Sequence, residues 1–127
     1  MIPDGCAASY LAALERADLE AVTALFTDDG VVHSPLYGAM PARDFYAGLF
    51  ADTARSKTTP KAVFTTADGS RLALHFAFDW TLASGKTVRF EVVDVFRLAA
   101  DGRFAELTII YDTAPLRADF EASRRAA

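Results

Sequence analysis

The sequence has a single cysteine, Cys6, which excludes an internal disulfide. No further ligand-type residues cluster around it, so it reads as a small helical core residue. A reduced, cytoplasmic setting is the expectation. No hydrophobic run approaches the roughly 20 residues of a membrane span. The opening MIPDGCAASY has neither a basic n-region nor a long apolar stretch, so no secretory signal is expected. Positive charge is also short. There are 13 basic against 17 acidic residues, a formal net charge of −4, and the basic residues form no run or stripe. Nucleic acid therefore has no electrostatic footprint to bind. There is no internal repeat, low-complexity tract or visible domain boundary. One domain over residues 1–127 is expected.

What the chain has is apolar mass. Hydrophobic residues make up 52%, with ten phenylalanines, enough for a sizeable core. Asp4 is a candidate N-cap, and Ala7, Tyr10, Leu11 and Leu14 follow at helical spacing, which predicts a helix over about residues 5–16. Asp18 caps a short second helix with Leu19, Val22, Leu25 and Phe26 on its buried stripe. Thr27-Asp28-Asp29-Gly30 reads as the turn that ends it. Val31–Ser34 reads as a short strand stopped by Pro35, with Tyr37-Gly38 in a loop. Pro41 suits the first turn of a third helix, whose buried face is Phe45, Tyr46, Leu49, Phe50 and Thr53. Ser56–Pro60 reads as a polar linker.

The remainder alternates and is punctuated by Asp-Gly or Ser-Gly. It predicts an antiparallel meander of four strands: Lys61–Thr66, Arg71–Leu82, Thr87–Leu98 and Arg103–Tyr111. Beyond Pro115 lies a charged tail, helical or frayed. Three helices followed by a bent sheet is an α+β pattern. A strongly curved, mostly antiparallel sheet wrapped around the three N-terminal helices makes a cone that encloses an apolar pocket.

One residue breaks its pattern. The strand face Val88, Phe90, Val92, Asp94, Phe96, Leu98 is apolar except for Asp94. The preceding strand presents Leu72, Leu74, Phe76, Phe78, Trp80 and Leu82. A carboxylate in such a place is costly to ionise, and its pKa should rise. A protonated carboxyl can donate a hydrogen bond to a developing oxyanion. The alternative is structural: Asp94 accepts hydrogen bonds from Trp80, a tyrosine or the backbone and pins the sheet. Phe50, Phe78, Trp80, Phe90 and Tyr111 are the expected pocket wall, with Ser34 and Tyr37 at its mouth or shaping the turn. Asp112 is either a base near the mouth or a cap to the tail. His75 and Asp79 share a face but find no third partner, so no metal is expected. The other face carries His75, Ala77, Val93, Val95 and Thr108. It suits a two-fold homodimer.

Two stretches carry a resemblance. SYLAALERADLEAVTALFTDDGVVHSPLYG resembles the opening of the ketosteroid isomerase family. EVVDVFRLAADGRFAELTIIYD resembles that family's Asp-x-Phe-Arg strand and its last strand. The wider group is the nuclear transport factor two-like, cystatin-like cone, which also holds SnoaL-type polyketide cyclases, dehydratases and pure binding modules. The resemblance implies a Tyr and a protonated Asp as the oxyanion hole, which fall on Tyr10 and Asp94. It also implies a general-base Asp just before a proline, and here that place is Ser34. A serine hydroxyl cannot take a proton from carbon near neutral pH. His33 is the neighbouring candidate base, although alternation sends it to the opposite face unless the strand twists or ends early at Pro35. The resemblance thus implies an isomerase, cyclase or dehydratase acting without a cofactor on a hydrophobic carbonyl compound. The missing base leaves a non-catalytic binding domain for an apolar ligand as the alternative.

Overall fold

Helix α1 spans Cys6–Arg16 and buries Ala7, Tyr10, Leu11, Ala13 and Leu14 along one stripe. Its end is a left-handed Ala17 (φ 51°) whose N–H reaches back to the Ala13 and Leu14 carbonyls. The computed structural model describes residues 5–126. The expected cap Asp4 lies outside the described residues, and Gly5 stands at the N-cap position. Asp18 caps α2 (Leu19–Ala24), its Oδ1 accepting from the Ala21 N–H at 3.0 Å. Helix α3 runs Ala42–Ala51 from a Pro41 N-cap.

Six strands form one curved sheet in the order β2-β1-β6-β5-β4-β3. They are β1 (Phe26–Ser34), β2 (Gly38–Pro41), β3 (Thr53–Thr65), β4 (Arg71–Leu82), β5 (Thr87–Leu98) and β6 (Phe104–Ile110). Every pairing is antiparallel except β1 with β6. The α+β cone expected from the sequence is therefore the architecture. The concave side carries the core. Leu72, Leu74, Phe76, Phe78, Trp80 and Leu82 of β4 are all buried, in step with the strand period. Phe96 and Phe104, with ring centroids 4.2 Å apart, close the core beneath Tyr10 and Phe26.

Four expectations are corrected. The segment Thr27–Gly30 is no terminating turn but a bulge inside β1, between the Phe26–Phe104 and Val31–Glu106 pairings. Gly30 suits this bulge, because a Cβ would sit tightly against the Phe26 ring and the Thr27 carbonyl, each at 3.1 Å. The supposed linker Ser56–Pro60 belongs to β3, and Thr53 opens that strand instead of closing α3. β3 is an edge strand, so polar outward residues and a proline at a register irregularity are tolerated. Gly38 begins the short strand β2 on the opposite edge. Of the two readings of the charged tail the helical one holds: it forms a fourth helix, α4 (Ala114–Ala126), which buries Leu116, Phe120 and Ser123. Phe120 packs on Trp80 and Tyr37, so α4 covers part of the open end of the cone.

Candidate functional site

The site begins with Asp94. It sits on β5 between Leu74 of β4 and Ile109 of β6, deep in the sheet and 2% exposed. Its side chain follows the inward face that alternation assigns it. Among the described residues its Oδ1 has no hydrogen-bond partner. Burial pushes the carboxyl up to about 8, and hydrogen bonding from Tyr10 only partly offsets that rise. At pH 7 the protonated form predominates, so the group is a neutral donor in an apolar wall.

Tyr10 comes to the same place from α1. Its hydroxyl lies 2.7 Å from that of Tyr46 on α3, and both rings are buried. Desolvation and the neighbouring acidic groups hold the Tyr10 phenol well above its usual range. Tyr46 is also raised, by burial first and by Asp94 second. The two tyrosines are therefore neutral, and each can pass a hydrogen bond to the other. Tyr46 is the site residue the sequence reading missed. The sequence pattern places it only on the buried stripe of α3. The available signal was that a buried tyrosine normally finds a partner for its hydroxyl.

Asp94 and Tyr10 line a narrow cavity of about 50 Å³, with Tyr46 behind Tyr10. Tyr10, Asp94, Ser34, Tyr37, Phe78, Trp80, Phe90 and Tyr111 all reach it. Phe50 does not. It is half-buried against Tyr46, with ring centroids 5.8 Å apart, and α3 turns Phe45 and Leu49 to the cavity in its place. Trp80 donates its indole N–H to Thr53 Oγ1 at 2.7 Å, so it acts as a fixed wall and does not reach Asp94 with that proton.

Ser34 is 9% exposed, and its Oγ accepts the Leu36 and Tyr37 backbone N–H groups at 3.1 and 3.0 Å. Both lone pairs are occupied in holding the turn after β1. Tyr37 lends its ring to the cavity while its hydroxyl donates to Asp52 Oδ2 at 2.6 Å, and Arg124 of α4 faces the same carboxylate oxygen at 3.5 Å. His33 lies outside the cavity. Its Nε2 is 2.7 Å from Glu106 Oε2 on the outer side of the sheet. Asp112 accepts the Ala114 N–H at 3.0 Å and caps α4. His75 pairs with Glu91 at 2.7 Å and Asp79 with Arg89 at 3.5 Å, both on the outer face. Among the described residues no three His, Cys, Asp or Glu side chains converge as a metal-binding group. No described helix is long and apolar enough to cross a membrane.

Chemically, the cavity can hold an apolar frame and hydrogen-bond one oxygen at its deep end. It contributes no ionised carboxylate among its lining residues. Comparisons with known proteins agree with this fold. Residues 7–107 match the SnoaL-like domain family. A putative polyketide cyclase from Pseudomonas putida KT2440 superposes with a TM-score of 0.75 at 22% identity, covering 88% of this chain and 92% of that one. A Catenulispora acidiphila protein with a ketosteroid isomerase-like fold, solved with trimethylamine, gives 0.79 at 13% identity and covers 95% of each chain. The Δ5-3-ketosteroid isomerase of a Mycobacterium species gives 0.70 at 20% identity, covering 86% and 92%. At these identities the likeness is one of fold.

Proposed function

The chain belongs to the SnoaL-like domain family, and from that premise we propose that it is a small-molecule enzyme of the isomerase, cyclase or dehydratase kind. Its substrate is a hydrophobic carbonyl compound. Asp94, protonated, and Tyr10 donate hydrogen bonds to the substrate oxygen as negative charge develops there. Tyr46 orients Tyr10. Donors fixed in a dry site favour the charged transition state because they need no reorganisation when charge appears. The observation that carries the reading is the buried Asp94 carboxyl, raised to about 8, whose Oδ1 faces no protein partner.

The test is a titration of Asp94 by carbon NMR on protein labelled at aspartate carboxyls. A midpoint between 7 and 9, bracketing the value of about 8, supports the reading. A midpoint in the ordinary carboxylate range near 4 removes the oxyanion donor and the proposal with it.

A second reading, a non-catalytic binding domain, is favoured by one observation. Ser34, at the position of the family's general base, spends both lone pairs on backbone N–H groups. A proton on carbon then has no acceptor in the cavity, unless the substrate or a water supplies one. Turnover of any enone or β-dicarbonyl compound that is lost in Asp94→Ala decides for the enzyme.

We propose further that two copies pair through the outer face of the sheet in a reducing cytoplasm, where the free Cys6 is at home. Two cross-strand rows support the pairing. One is Phe64–Ala73–Val95–Thr108 and the other Ala62–His75–Val93–Ile110. Phe64 and Ile110 are more than half exposed. The rows are bordered by the ion pairs Arg97–Glu106 on one side and Lys61–Glu91 on the other, charges of both signs that suit a self-complementary contact.

A further inference from the structure

Two polar groups of the cavity lining, Ser34 and Tyr111, each keep a proton to donate. Ser34 has both oxygen lone pairs engaged by the Leu36 and Tyr37 N–H groups, so what it has left to offer a ligand is its proton. Ser34 is nine-tenths buried, and among the described residues that proton has no acceptor. Tyr111 lines the same cavity, its ring stacked on Phe90 with centroids 4.5 Å apart. Its hydroxyl makes no hydrogen bond among the described residues. Burial pushes the Tyr111 phenol up to about 12, with Arg117 pulling it down and Asp94 adding to the rise. Tyr111 therefore lies within electrical reach of both and stays a neutral donor at pH 7.

Arg117 completes the set. It stands on α4, and its guanidinium bridges the Pro35 carbonyl at 3.4 Å and Thr113 Oγ1 at 3.0 Å. Pro35 follows Ser34 directly, so the cation is fastened to the turn that Ser34 closes. No described carboxylate pairs with it, although the chain carries 17 acidic residues. Its neighbour Arg124, by contrast, is matched to Asp52. A guanidinium held by a carbonyl and a hydroxyl keeps N–H donors for a planar anion.

We propose that Ser34, Tyr111 and Arg117 form a second recognition point, at the mouth, that binds a carboxylate of the ligand. The ligand is then an apolar frame with an enolisable oxygen at one end, facing Asp94 and Tyr10, and a carboxylate at the other. This rests on the proposed oxygen-binding role of Asp94 and Tyr10, and it gives Ser34 a task that replaces proton abstraction.

Two matched probes test it: 2-naphthol and 6-hydroxy-2-naphthoate, whose hydroxyl suits the deep end and which differ only in the carboxylate. Dissociation constants are read from naphthol fluorescence with the full chain. The carboxylate probe is expected to bind about 10-fold tighter or better, the scale of a charge-assisted hydrogen bond. Arg117→Gln should bring the two constants together, and Arg117→Lys should restore part of the preference. Equal binding of both probes to the wild type overturns the proposal, as does a preference that survives Arg117→Gln. Asp94→Ala separates this from the deep-end reading. If Asp94→Ala weakens both probes while the wild type shows no preference, the deep end stands and the mouth site falls. If the Arg117-dependent preference holds but Asp94→Ala changes nothing, the mouth site stands and the oxyanion reading falls. Failure of both probes to bind at millimolar concentration overturns both.

Discussion

The hydroxyls of Tyr10 and Tyr46 lie 2.7 Å apart, one from α1 and one from α3, beside a carboxyl that the sheet holds buried. The two helices thus meet through a polar contact in a largely apolar interior. Removing either hydroxyl leaves the other buried without this partner, which costs about 1–3 kcal/mol. Tyr46→Phe and Tyr10→Phe are each expected to destabilise the fold by that order in urea unfolding. The double variant should cost clearly less than the sum, because the second change removes a group already orphaned. Strict additivity would show that the contact carries no energy.

Asp94 makes stability depend on pH in an unusual direction. Its folded pKa is raised to about 8 from the ordinary aspartate value of 3.8. Between those values the unfolded chain loses its proton while the folded chain keeps it. Stability from this group is therefore full below about pH 4 and is lost as pH rises to about 8. At 1.36 kcal/mol per pH unit that span is on the order of 5 kcal/mol. Asp94→Asn cannot ionise and should flatten this slope. The variant is expected to gain on the wild type steadily from pH 5 to pH 8 in thermal melts. A wild-type-minus-variant difference that does not change with pH would contradict the buried protonated state.

The outer face gives a prediction about assembly. Light scattering at micromolar concentration should return twice the chain mass of 13.7 kDa. Ile110→Glu sets a charge at the end of the row Ala62–His75–Val93–Ile110. Ile110 is 54% exposed in the isolated chain, so the fold should survive the change while the dimer does not. A wild type that is monomeric, or a variant that remains dimeric, argues against this face.

Much of this arrangement was legible because a strand has a period of two. Alternation alone set Asp94 among Val92, Phe96 and the β4 aromatics, and those side chains are buried together. The Asp18 cap was legible for a similar reason, since its role is local. What escaped depended on partners distant in the chain. The polar run Ser56–Pro60 looks like a linker until β4 is beside it, because an edge strand is stabilised by its neighbour more than by its own apolar content. The turn-like Thr27–Gly30 is absorbed into a bulge by pairing with β6, some 75 residues on. Tyr46 and Phe50 are adjacent on one helix stripe. Only the rotation of α3 against the sheet decides that Tyr46 meets Tyr10 while Phe50 stays outside the cavity.

The last prediction concerns the base. Ser34 lines the cavity, and the sequence resemblance implies that it stands in for the general-base aspartate of the ketosteroid isomerases. The wild type should show little double-bond migration with a steroid-like or smaller cyclic enone, since no lining group can take the proton from carbon. Ser34→Asp introduces a carboxylate at the same Cβ. An aspartate there can accept the Leu36 and Tyr37 N–H groups that Ser34 now accepts, so the turn should survive. The same two bonds stabilise the ionised form and lower its basicity. General-base catalysis by a placed group is typically worth 10²- to 10⁴-fold, and the gain here should fall toward about 100-fold for that reason. Adding Asp94→Ala should abolish the gain, because the enolate oxygen loses its donor. The rate is followed by the ultraviolet absorbance of the conjugated enone, with binding measured in parallel. If Ser34→Asp binds the enone and gains nothing, Ser34 is not over the reacting carbon, and its remaining role is the donor at the mouth.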